Sequence, residues 1–278
     1  MKRTLSILLA IMMLCTMIPF SVFAADDPFR VVISLEGFTL GQGYYVEPTA
    51  YSLDKINALI KKDGYGPYTE DTLTAGMSVL AMLNDKGLSY SVTYGSWTDS
   101  GYLATIDNID NGNVNFPAVI SKNGGPSNDN YVKNTDKNLG AGDYEAWAGW
   151  MTCINDAFPS VSICNFVLKK DAVNTYNNTY VIRVQFALAS MDAGLGYVGW
   201  DGTSFFTHAN KDKAMIAYAD SNNSRAKAKA KPVLEKLDAT QSEVDATISP
   251  LGKAPTVWDR ILDFFDRIVA FFRNLFKR

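Results

Sequence analysis

Two cysteines, one histidine and two short glycine- or aspartate-rich strings are the residues whose types and spacing could do chemistry. Once Cys15 is set aside in the N-terminal segment, Cys153 and Cys164 are the only cysteines left. Placed on neighbouring strands joined through residues 155–162, they are expected to form a disulfide that closes a short loop, stabilising by about 2 to 3 kcal/mol. A free, buried pair is the alternative. Their separation is not the two-residue spacing of a disulfide oxidoreductase, so redox catalysis is not expected. His208 is the sole histidine, which rules out histidine-based metal clusters, and no GxSxG elbow accompanies it for a serine triad. Residues 194–199 (GLGYVG) match GxGxxG but lack the helix that dinucleotide binding requires, and read as a glycine loop after the last strand. Residues 107–112 (DNIDNG) approach a calcium loop, yet Ile109 stands at a ligand position and Ala118 where the closing glutamate belongs. Carboxylates such as Asp143 and Glu145 are too common to nominate as an acid–base pair without geometry. No catalytic residue, metal ligand or required cofactor is therefore assigned, and an enzyme is the least supported class.

Aromatic side chains offer a different chemistry, because a ring buries much area with little side-chain entropy. Tyr144, Trp147, Trp97 and Tyr102 are the candidates for a ligand-facing surface, and Trp147, set between Glu145 and Gly149, is the best placed. Trp150, inside a strand, reads as core. A pocket lined by Trp147 and Tyr144 would mark a small-ligand site.

The elements that must position these residues alternate between the two periodicities. Residues 29–37 (FRVVISLEG) and 44–47 read as strands around a Gly41-Gln42-Gly43 turn, with Pro48 ending the second. Helices are expected at 53–62 and, with Gly87 as its terminating glycine, at 74–86. Strands follow at 89–94 and 102–106, then a polar excursion over 107–138. Order returns at 149–154, at 166–168 and at 179–188, where TYVIRVQFAL alternates strictly. This order predicts an α+β fold with a helix packed across one sheet face. A helical region follows over 207–250, with a break near Pro232 and a cap around Ser242 and Asp245. Lys227, Lys229 and Lys231 read as a solvated face, and Ser249-Pro250 with residues 253–255 as a linker.

Both ends carry distinct signals. Lys2 and Arg3, an apolar run over 5–23, and small residues Val22 and Ala24 predict a signal peptide over 1–24, hence secretion. The formal net charge of −3 becomes about −5 without Lys2 and Arg3, which argues against nucleic acid as a partner. The segment 256–278 is an amphipathic helix with Trp258, Ile261, Leu262, Phe265, Ile268, Phe272 and Phe276 on its apolar face. That face is expected either to lie on a membrane surface or to pack against protein, since its charges oppose a membrane span.

The segments VVISLEG, GQGYYVEPT, TAGMSVLAMLNDKG, YLATIDNI, LGAGDYEAWAGWM, INDAFPS and VIRVQFAL together resemble the transcobalamin-like C-terminal domain of secreted bacterial proteins, over roughly residues 29–200. The resemblance implies a β-grasp-like sheet over 26–200 and, through its better understood members, cobalamin as a possible ligand. The added 53–62 helix, the 107–138 excursion and the helical C-terminal region depart from that pattern. Residues 233–248 also resemble helical repeats of Gram-positive surface proteins, which implies retention at the cell surface. No LPxTG-like sorting signal is present. The expected function is non-enzymatic extracellular or cell-surface binding of a small ligand, such as a corrinoid, or of a short peptide. The alternative is a structural or adhesive protein that contacts membrane, envelope or a partner through its helical region.

Overall fold

The computed structural model describes residues 28–169, 176–188, 195, 208–255, 262 and 268. The chain folds as α+β. Strand β1 (Arg30–Glu36) pairs antiparallel with β2 (Tyr44–Ser52), and β6 (Gly149–Ile154) pairs antiparallel with β7 (Thr179–Ala187). β7 returns parallel beside β1, giving the sheet order β2-β1-β7-β6. A hairpin, a crossing helix and a last strand inserted parallel to the first make the sheet β-grasp-like. β3 (Tyr90–Thr93), β4 (Tyr102–Ile106) and β5 (Leu139–Gly140) form a second, antiparallel sheet.

Two helices follow β2: α1 (Leu53–Ile60), capped by the Ser52 hydroxyl, and α2 (Ala75–Lys86); a short α3 (Ala118–Lys122) lies in the excursion after β4. Thr74 caps α2 by accepting the Met77 N–H at 3.2 Å, and Gly87, with φ of 64°, closes it in the left-handed conformation that glycine adopts at least cost. Every residue from Ala75 to Leu83 is buried, because α2 is packed on more than one side. Val31, Ile33 and Leu35 of β1 and Tyr180, Ile182, Val184 and Phe186 of β7 share its core.

Strand alternation turns the intervening residues to the opposite face of the sheet. There Val32 and Val181 meet Met215, while Ser34, Glu36, Arg183 and Gln185 form a buried polar strip. Arg183 and Glu36 make a forked ion pair, Nε to Oε1 at 3.1 Å and Nη2 to Oε2 at 2.8 Å, and the Ser34 hydroxyl donates to Glu36 at 2.6 Å. The C-terminal helices α4 (Asp212–Asp220), α5 (Ser224–Glu235) and α6 (Gln241–Leu251) lie on this side. The fully buried Lys211 donates from Nζ to the Leu234 and Lys236 carbonyls at 2.7 and 2.8 Å, satisfying the end of α5. Tyr218 donates to Glu47, Lys231 pairs with Glu47 at 2.6 Å, and Arg30 pairs with Asp220.

Several local expectations change. β2 runs through Pro48 to Ser52, because β2 is an edge strand and the register shifts there: Ile33 pairs with Thr49 but Leu35 with Val46, so β2 carries one extra residue. Pro232 sits inside α5 and Pro250 inside α6. The cap of α6 is a capping box of Thr240 and Glu243, two residues earlier than Ser242 and Asp245. Residues 166–168 contribute a single bridge, Thr74 to Val167. Lys231 is an ion-pair partner of β2 and Lys227 lies over the Tyr218 ring, so only part of that lysine face is solvated.

The expected disulfide does not form: Cys153 and Cys164 are both free and buried. Cys153 lies in β6 opposite Arg183, on the polar face, and burial pushes its thiol up to about 12. Cys164 sits in a turn on the other face, against Gly76 of α2, and its thiol donates to the Gly101 carbonyl at 3.4 Å. The sheet itself separates them. The segment 1–24 that is expected to be a signal peptide, the 194–199 string apart from Leu195, and Trp258, Ile261, Phe265, Phe272 and Phe276 lie outside the described residues. Leu262 is exposed and Ile268 half-buried.

Candidate functional site

The excursion over 107–138 is held by one carboxylate. Asp110, buried, accepts from Gln42 Nε2 and the Gly112 N–H at 2.9 Å, from Asn134 Nδ2 at 2.9 Å and from the Tyr144 hydroxyl at 2.5 Å. Burial alone would push its pKa up, but these donors outweigh burial and hold it below the ordinary carboxylate range. Tyr144 is thereby committed to the interior, and burial together with Asp110 raises its own pKa. The near-calcium string thus serves as a hydrogen-bonded loop anchor. Among the described residues no group of three His, Cys, Asp or Glu is arranged to hold a metal ion.

The four aromatic candidates therefore separate. Tyr144 packs edge-on against Phe116, inside the core. Trp97 is buried in a T-shaped contact with Tyr90. Trp147 stands in solvent at 73% exposure whereas Tyr144 is buried, and neither lines the cleft between the sheets. Tyr102, of the four, lines that cleft.

That cleft, of about 290 Å³, lies where the two sheets meet. The start of β4 supplies Tyr102 and Leu103, β6 supplies Trp150, Met151 and Thr152, and the loop after β6 supplies Phe158, Pro159, Val161 and Ile163. Its walls carry no carboxylate, imidazole, amine or guanidinium. Trp150 was expected in the core and is indeed buried, with Nε1 donating to the Leu139 carbonyl at 2.9 Å, but its ring also forms one wall. The loop is fixed from below: the first-turn N–H groups of Ala75 and Gly76 in α2 donate to the Phe166 and Ile163 carbonyls at 2.9 and 2.8 Å. Gly76 makes this approach possible, since a Cβ there would stand 2.9 Å from the Cys164 Cα.

Among the described residues β6 is an edge strand, and its outer side borders the cleft. Alternate residues of an antiparallel pair direct their N–H and C=O groups toward and away from the partner. Asn155 donates its N–H to Val181 of β7, whereas Ile154 exchanges both groups outward with Ala157. Thr152, two residues before Ile154, therefore also turns its N–H and C=O outward. The Trp150 N–H meets the Tyr102 hydroxyl, whose pKa burial raises despite that bond. Gly149 allows the contact, because a Cβ there would fall 2.1 Å from the Tyr102 oxygen. Among the described residues, the outward groups of Thr152 have no partner.

His208 is placed away from this cleft, with Nε2 3.3 Å from an Asp156 oxygen. It precedes α4, next to Lys211 and Asp212, where burial lowers the lysine to about 7 and raises the aspartate to about 7. Of the cleft's walls only Tyr102 is nominated by the sequence, because most of the others come from a strand read as core and from the loop after it. No protein-family model, no curated protein and no solved structure matches the chain.

Proposed function

We propose that the protein is a non-catalytic binding module that holds an apolar group of a small ligand in the cleft between β4 and β6. The observation that carries this reading is the cleft itself, walled mainly by rings and aliphatic side chains, with Ser100, Thr152 and Ser162 as its small polar residues and no charged group. Such walls give apolar contact and exclude water, and no imidazole, amine, guanidinium or carboxylate lines the cleft beside its hydroxyls. The basic-then-apolar order of residues 1–24 supports work outside the cytoplasm. A corrinoid, the ligand implied by the resemblance over residues 29–200, would fit only in part. Pockets for drug-sized molecules run from about 300 to 1,000 Å³, and this cleft sits at the lower end of that range.

Titration of the isotope-labelled full chain with indole, followed by amide shifts in a nitrogen–proton correlation spectrum, tests the reading. Shifts are expected at residues 100–103, 150–152 and 161–163. Val161→Asp, at a half-exposed position on the cleft wall, is expected to weaken binding tenfold or more while leaving thermal stability unchanged. Cyanocobalamin displacing indole would place a corrinoid at the same walls. Silence of these amides at millimolar indole would sink the proposal.

A further inference from the structure

We infer that the natural occupant of the cleft is an extended peptide segment, paired to the outer edge of β6 at Thr152; this rests on the reading of the cleft as a binding site. Thr152 presents an N–H and a C=O side by side in a cleft whose walls are mainly apolar. One residue of an antiparallel strand satisfies both at once, by exchanging two hydrogen bonds. An alkyl chain or a lone ring would cover both groups and return neither bond. The pairing window is short, because Tyr102 takes the Trp150 N–H and Ala157 takes both groups of Ile154. The complementary partner is thus about three residues in extended conformation, the centre one opposite Thr152.

The same geometry sets side-chain preference. Residues directly opposite on paired strands project to the same face. Thr152 shares its face with Trp150 and Ile154, so the central side chain of the bound segment enters among Tyr102, Leu103 and Ile163. It must be apolar and uncharged there, whereas its two neighbours turn to the opposite side and are free to be polar.

The probe is a blocked pentapeptide with a central valine flanked by threonines, titrated into the labelled full chain, beside the same peptide N-methylated at the valine amide. The parent peptide is expected to move the Thr152 amide together with residues 102, 103 and 163, and the N-methyl peptide to bind at least about fivefold more weakly for want of its donor. Equal binding of both peptides, with the cleft amides still moving, would overturn the strand pairing and leave the cleft as a ligand site. No movement of those amides with either peptide, while indole still moves them, would overturn the peptide assignment. If indole also fails, the binding reading falls with it. Because the modification is on the peptide, protein folding does not enter the comparison.

Discussion

Arg183 and Glu36 are both fully buried, joined by two hydrogen bonds and flanked by the Ser34 hydroxyl. Removing one member leaves an uncompensated charge inside, whereas replacing both removes the desolvation cost as well as the attraction. Glu36→Gln or Arg183→Met alone should therefore lose about 3 to 5 kcal/mol in urea unfolding. The double variant Glu36→Leu with Arg183→Met should be more stable than either single change. A double variant as weak as the sum of the singles would refute the account. Neither residue was nominated from the sequence, since alternation in TYVIRVQFAL reads charged positions as solvent-facing, and only the helices lying over that face make it interior. The same limit governed the cysteines. Their spacing was visible, but which face of the sheet each would occupy was not.

Elements were read best where local chemistry and burial agree. Helix α2, with Thr74 before it and Gly87 after it, and strand β7, with strict alternation, fell within a residue or two of expectation. Pro48 and Pro232 misled, because edge position and helix length, neither of them local, decide what a proline disrupts. α4 shows how an element can carry its own pH response. The Asp212 pKa is raised to about 7, first by burial and then by Asp156, so the folded state holds a proton that the unfolded chain releases above about 3.8. Its contribution is complete below that value and is lost as pH rises through 7. The Lys211 pKa is lowered to about 7, chiefly by burial and then by Arg183, so its contribution is complete above about 10.5 and is lost as pH falls through 7. The two opposing slopes place a trough of stability near neutrality. Urea unfolding at pH 5, 7 and 9 should show it, with Asp212→Asn flattening the acid limb and Lys211→Met the alkaline one. Monotonic stability across that range in the wild type would contradict the assignment.

At the scale of the molecule, the helical region is a cover for the sheet. It closes over Val32 and Val181 through Met215 and over the Glu36–Arg183 pair, and it is tied to β1 and β2 by Arg30–Asp220 and Lys231–Glu47. A chain lacking residues 208–278 should expose this apolar and charged strip, and light scattering should find it aggregated at concentrations where the full chain is monodisperse. A monodisperse truncation with an unchanged melting temperature would show that the sheet needs no cover. The central pairing of the sheet also sets a timetable. Arg30 and Thr179, neighbours across β1 and β7, are separated by 149 positions in the chain. Contacts of such sequence separation are slow to close, and an open strand edge is a template for the wrong neighbour. During synthesis from the N-terminal end, β1 must wait, hydrogen-bonded on its β2 side alone, until about half of the chain has followed it. The protein's exposure to misassembly is therefore greatest before it is fully made, and whatever shelters an emerging chain in the cell has this strand to protect.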